Sequence, residues 1–300
     1  MGQQRIIPRL AVLLALGLPG LATTGWAEEP SDNKGLDNPL FAMNFARSDP
    51  MLAASPEAQA ALLRELGYDG CQYLGPLEQL DATLDSMDKA GLDVFTVAVP
   101  GYNISVDPGS DFDPTLKQAI RQLKDRKTLF LIGFASKDYE RSSPDGDVRA
   151  VEVCRQLADF AQPLGVRVAI YPHVNQWCER VEDALRIAQK TDRENLGICF
   201  NLYHWLRTDQ ERKLEPLVAA SMSRLFLVTI NGTSPEGSME ALDRGAYDVY
   251  QFLKPFVAGG YSGPIGLQCV GVKGEPRDNL TRSMAAWRKL SVRLRTVSGQ

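Results

Sequence analysis

The sequence predicts a single-domain α/β fold, a (β/α)8 barrel of the TIM type, on three observations. Short apolar, β-branched runs alternate with amphipathic stretches, which calls for a parallel sheet joined by crossover helices. Eight such pairs in a chain of 300 residues close a barrel. The rival, an open doubly wound sheet, lacks its glycine-rich phosphate fingerprint after the first run.

The elements follow in order. Phe41–Phe45 precedes a helix over 56–66, and Gly70–Leu74 precedes one over 77–90. Val94–Val99 leads to 116–124, and Leu129–Gly133 to a long helix over 148–164. Val166–Tyr171 leads to 181–188, and Leu196–Phe200 to 211–222. Leu225–Ile230 leads to 239–256, and Ile265–Cys269 to 280–294. Gly67, Gly91 and Gly165 stand where helices should end, because glycine takes the left-handed conformation that closes them. The longest insertions, Pro100–Pro114 and Phe134–Asp147, fall after the third and fourth strands, on the side of a barrel where loops carry function.

Residues 1–27 have the form of a secretory signal peptide: Arg5 and Arg9, an apolar stretch from Leu10 to Ala22 broken by Pro19 and Gly20, then the small residues around Trp26. Residues 28–38 read as a flexible leader, and 39–300 as the barrel. The expected location is secreted or periplasmic, with no membrane attachment once the signal is removed. Loss of the signal takes the net charge from −4 to −6. A mildly acidic chain without a basic block is no nucleic-acid binder. Five cysteines leave at least one thiol without an intramolecular partner, and no CxxC spacing suggests a zinc ribbon. The oligomeric state is not legible.

The chain has two histidines, His173 and His204, each just past an apolar run. Strand ends of one barrel face share a mouth, so the two should meet there. Four segments, Leu66-Gly-Tyr-Asp-Gly70, Leu164–His173, Asn195–Asn201 with His204, and Tyr261–Gln268, resemble in order and spacing the xylose-isomerase-like TIM barrels, the sugar isomerases and epimerases. Many members hold a divalent metal with glutamates on strands five and eight and an aspartate and histidine near strand six. The resemblance equates those positions with Tyr171, Asn201, His204 and Gln268, and a further acidic position with Gln72. The carboxylates have become neutral groups. His173, two residues past Tyr171, could replace a lost ligand.

Amide oxygens are weak ligands for magnesium or manganese, so the expected cofactor is none. A weakly bound zinc on His173 and His204 is the one metal the set leaves open. Amides also cannot move protons, which makes His204 and His173 the expected acid–base pair. Lys137 is a further base candidate, and Glu179 is placed to orient His173. Asn44, Gln72, Asn201, Asn231 and Gln268 near strand ends suit sugar hydroxyls. Tyr102, Phe134, Tyr171, Trp177 and Trp205 offer faces for a sugar ring. With only Lys137 and Arg141 as basic groups on the rim, the expected ligand is a small neutral carbohydrate. The chain therefore reads as an extracytoplasmic protein performing isomerisation, epimerisation or elimination by proton transfer. The alternative is a carbohydrate-binding barrel that has lost the metal site and the chemistry.

Overall fold

The computed structural model describes residues 34–208 and 213–297; the signal-peptide span 1–27 and leader residues 28–33 lie outside them. Eight parallel strands form the barrel: β1 Leu40–Met43, β2 Gly70–Leu74, β3 Asp93–Ala98, β4 Leu129–Ala135, β5 Arg167–Ile170, β6 Leu196–Asn201, β7 Leu225–Ile230 and β8 Ile265–Gln268. Each pairs with the next, and β8 returns to β1 with Leu40 opposite Ile265 and Met43 opposite Gln268. The (β/α)8 barrel expected from the alternation is therefore closed.

The helices are α1 Pro50–Ala53, α2 Pro56–Leu66, α3 Leu80–Ala90, α4 Thr115–Gln122, α5 Asp147–Ala161, α6 Val181–Thr191, α7 Leu202–Thr208, α8 Leu214–Ser221, α9 Val249–Ala258 and α10 Pro276–Arg295. Local chemistry sets their ends. Ser55 accepts the amide of Ala58 at the start of α2, and Gly67 closes that helix at φ 85°. Gly91 does the same for α3 and Gly165 for the turn after α5. None of the helices is long and apolar enough to cross a membrane, among the described residues.

Strand alternation divides the core in two. Leu40 and Ala42 face the helices, whereas Phe41 and Met43 point into the barrel with Leu129, Leu131, Ala169, Tyr171, Cys199 and Leu227. Phe41 stacks on Phe95 at 4.8 Å. These two bulky side chains of β1 require glycine opposite them, since a Cβ on Gly266 would collide with Met43 Sδ and Phe41 Cζ. Tyr171 forms the top layer of this inner core and the floor of what lies above it.

Two elements depart from the sequence reading. Helix α7 follows β6 with no loop, so His204 and Trp205 sit in a helix rather than on a strand-end loop. Residues 239–248 are not helical. Met239–Glu240 instead pairs antiparallel with Gly232–Thr233, and the turn between them uses Pro235 and Gly237, the latter at φ 82°. The helix starts only at Asp248, whose carboxylate caps Tyr250 N–H at 2.9 Å. Ala241 and Leu242 are buried, which explains the helix-like spacing of apolar residues there. All five cysteines are free, four of them buried.

Candidate active site

A cavity of about 510 Å³ opens at the carboxyl ends of the strands. Asn44 enters it from the end of β1, Gln72 from β2, Tyr171 and His173 from beyond β5, and Gln268 from β8. His204 comes from the first turn of α7, and Tyr102 from the long connection after β3.

Tyr171 organises the floor. Its hydroxyl oxygen accepts from Asn201 Nδ2 at 2.6 Å and from Gln268 Nε2 at 2.8 Å. Asn44 Nδ2 donates to Gln268 Oε1 at 3.2 Å and to Gln72 Oε1 at 2.9 Å. Asn201 Oδ1 accepts the amide of His204 at 3.0 Å, which makes Asn201 the N-cap of α7. Asn44 itself lies in the left-handed region at φ 56°, a conformation asparagine bears better than other side chains. Its Oδ1 has no partner among the described residues. Burial holds the Tyr171 phenol well above its ordinary pKa, so it stays protonated.

This donor set does not fit a divalent cation. The positions equated with ligands bond to one another, and the amide nitrogens of Asn201 and Gln268 point at the phenol oxygen where a metal would require oxygens. The amide oxygens are taken by N–H donors. No group of three or more histidine, cysteine or acidic residues suited to a metal occurs among the described residues.

The two imidazoles meet as the sequence implied, with ring centroids 4.0 Å apart at 45°. The backbone of one residue, Val174, sets the tautomer of each. Val174 N–H donates to His204 Nδ1 at 3.4 Å, so the neutral His204 ring carries its proton on Nε2. The Val174 carbonyl lies 2.7 Å from His173 Nδ1 and takes a proton there, leaving a lone pair on His173 Nε2. The pair thus offers one base and one donor. Burial depresses the pKa of both. His173 falls below its ordinary value, with the Val174 hydrogen bond opposing the shift. His204 is pushed down to about 2 by burial first, then by His173 and Arg207. Burial therefore favours the neutral form of His204, with its Nε2–H as a hydrogen-bond donor.

The structure moves several other expected residues away from the cavity. Phe134 and Trp177 are buried and meet edge to face at 6.3 Å in the helix-facing core. Trp205 packs against Phe200 and Phe252, so neither tryptophan is a stacking wall. Asn231 is buried and donates to Gly232 O and Thr233 Oγ1, holding the turn after β7. Asn201 serves Tyr171 and α7 rather than a ligand hydroxyl. Lys137 lies in an exposed loop anchored by its own amide to Asp107 and does not line the cavity. Glu179 binds Asn175 N–H at 3.2 Å and Arg141 at 3.4 Å, and its carboxylate has no bond to His173. The sequence reading also missed groups that do line it: Arg47, Asn175, Tyr203 and Arg207. Tyr203 and Arg207 share the unrecognised helix α7. An amphipathic helix starting at the strand end, capped by Asn201, was the signal that would have found them.

The model of the xylose isomerase-like TIM barrel family matches residues 60–290. Over 133 residues the chain is 28% identical to an inosose isomerase of Bacillus licheniformis, covering 41% of this chain and 47% of that protein. Over 129 residues it is 28% identical to a 3-dehydroshikimate dehydratase of Pseudomonas aeruginosa, covering 38% of this chain and 19% of that protein. The matched segment is thus less than half the length of either relative. The crystal structure of a 3-keto-D-glucoside 4-epimerase from E. coli shares the fold at a TM-score of 0.67 and 17% identity, covering 84% of this chain and 99% of that one. The closed eight-stranded barrel, its cavity at the carboxyl face and the family match over most of the chain agree: the protein belongs to the xylose isomerase-like TIM barrel family.

Proposed function

We propose that this sugar isomerase/epimerase-like barrel moves a proton on a small carbohydrate, outside the cytoplasm, without a tightly held metal. The observation that carries the reading is the His173–His204 pair, fixed by Val174 as one lone pair and one N–H at the wall of the cavity. His173 Nε2 takes the proton from the carbon beside the sugar carbonyl, and the electron pair moves onto the carbonyl oxygen. His204 Nε2–H donates a hydrogen bond to that oxygen, the task a neutral imidazole does well because it offers a proton without carrying charge. A proton delivered from solvent to the opposite face of the same carbon gives epimerisation; delivery from His173 to the neighbouring carbon, with that carbon's hydroxyl proton passing to the enolate oxygen, gives isomerisation; departure of a β-hydroxyl as water, protonated by His173, gives elimination.

All three outcomes share the first step, which can be tested without knowing the product. The protein is incubated in heavy water with a panel of reducing and keto sugars, and NMR reads deuterium at the carbon beside the carbonyl. Incorporation above the uncatalysed rate is expected for at least one sugar. The second reading, a binding barrel, draws on the amide floor, whose side chains bond to one another. Binding without incorporation anywhere in the panel would establish that reading in place of the first.

The metal part of the proposal has its own measurement. Protein purified without chelator should carry far less than one equivalent of magnesium, manganese or zinc by elemental analysis, and EDTA should leave its melting temperature unchanged. A stoichiometric metal, or melting that falls with chelator, contradicts the reading of the Tyr171 floor.

A further inference from the structure

We propose that the carbohydrate is acidic: a sugar carboxylate sits at the cavity rim on Arg207, with Arg47 supplying a second positive charge from a separate part of the rim. This rests on the carbohydrate reading above and names its substrate class. It replaces the expectation of a neutral ligand, which assumed that Lys137 and Arg141 were the basic groups of the rim.

The charge count decides the sign. The chain has 37 acidic residues against 33 lysines and arginines, yet the cavity lining holds two arginines and two histidines and no carboxylate. Apart from the two arginines every polar side chain on the lining is uncharged, the buried histidines included. A second cavity of about 480 Å³ adjoins the first through Val174, Asn175, Tyr203 and Arg207 and adds Arg141 and Arg180. Its one acid, Glu179, is paired with Arg141. Arg207 thus borders both cavities, with Arg180 on the side of the second and Glu236 on its other flank.

Arg207 is built to receive an anion. Its NH2 group donates to Gly237 O at 2.9 Å and to Tyr203 Oη at 3.0 Å, and its guanidinium lies over the Tyr203 ring at 5.0 Å. These contacts fix the side chain and leave Nε and NH1 without a partner among the described residues, so little side-chain entropy is lost when a carboxylate binds. Arg47 makes no hydrogen bond or ion pair with another described residue. It follows β1, while Arg207 follows β6, three places round an eight-stranded ring, so the two reach the cavity from separate parts of its rim. A carboxylate suits this pair better than a phosphate. Phosphate sites draw on the free amides of a helix N-terminus, and at α7 Asn201 already occupies that position.

The test is calorimetric titration of the wild type with matched sets: glucose, glucuronate and glucose 6-phosphate, and the corresponding galactose and mannose series. In at least one set the uronate should bind about 10-fold or more tightly than its hexose, the order expected for hydrogen bonds to a charged group. Raising the salt should shrink the preference. Arg207→Gln should bring uronate and hexose within about 2-fold of each other, with Arg47→Gln intermediate; melting curves establish that both variants are folded. The proposal is overturned if hexoses bind as well as uronates, if the phosphates are preferred, or if Arg207→Gln keeps the uronate preference. Hexose binding without preference leaves the carbohydrate reading intact, whereas no binding by any sugar refutes that reading and this one together.

Discussion

Replacing His173 with glutamine is expected to lower the rate of deuterium incorporation about 10²–10⁴-fold, the usual contribution of a positioned general base. Glutamine keeps a polar side chain of similar reach but has no lone pair basic enough to take a carbon-bound proton. His204→Gln should cost much less, because an amide N–H can stand in for the neutral imidazole N–H that donates to the carbonyl oxygen. That asymmetry follows from Val174, whose carbonyl accepts the proton on His173 Nδ1 and whose N–H donates to the lone pair on His204 Nδ1. The pH profile follows with a definite sign. A base works only when deprotonated, and burial lowers the pKa of His173 from its ordinary 6.5. The rate should therefore be flat through neutrality and fall only as pH drops below about 6.5. His204, at about 2, adds no limb in the accessible range. Equal losses in the two variants, or an acidic limb centred above 6.5, would remove these roles. Sugar binding that persists in both variants shows that turnover rather than folding is being read.

The barrel was legible because its signal is repeated. Each buried strand is a short apolar run bounded by polar turns, and eight repetitions outvote any single misread boundary. The histidine pair was legible for the same reason: strand ends of one face converge whatever the details of packing. What the sequence hid is direction. Trp205 and His204 are adjacent in sequence, yet the helix they occupy sends one into the core against Phe252 and the other into the cavity. Trp177 and Phe134 fall on the correct side of the barrel and still turn away from the mouth, because burying two large rings against each other outweighs leaving them on a wet rim. Asn231 and Asn201 have the right chemistry for a sugar and spend it on backbone and neighbours, since a buried amide must be satisfied before it can serve a ligand. Arg47 and Arg207 were invisible because a loop or helix arginine looks like any solvated charge until the cavity beside it is known.

Tyr171→Phe should destabilise the protein by about 2–6 kcal/mol, a large part of an ordinary domain's stability. The substitution removes one oxygen and strands two buried donors, Asn201 Nδ2 and Gln268 Nε2, each costing about 1–3 kcal/mol when left without an acceptor. Asn201 and Gln268 are 1% and 3% exposed, so neither amide can turn to bulk water without unpacking the barrel floor. By comparison, Tyr68→Phe removes a single bond to the Leu280 carbonyl, at 2.9 Å, and should cost about 1 kcal/mol. Urea unfolding of both variants measures the difference directly. A double-mutant cycle separates the amide effect from lost packing: in a Gln268→Met background one of the two stranded donors is already gone, so the Tyr171→Phe cost should drop by about 1–3 kcal/mol. If Tyr171→Phe costs no more than Tyr68→Phe, or its cost is the same in the Met background, the phenol is not the acceptor that holds the floor together. The same floor is built from the residues at the positions that the resemblance equates with metal ligands. A confirmed coupling shows that the tyrosine oxygen, receiving two amide N–H groups, is the acceptor around which the side chains at those positions are arranged.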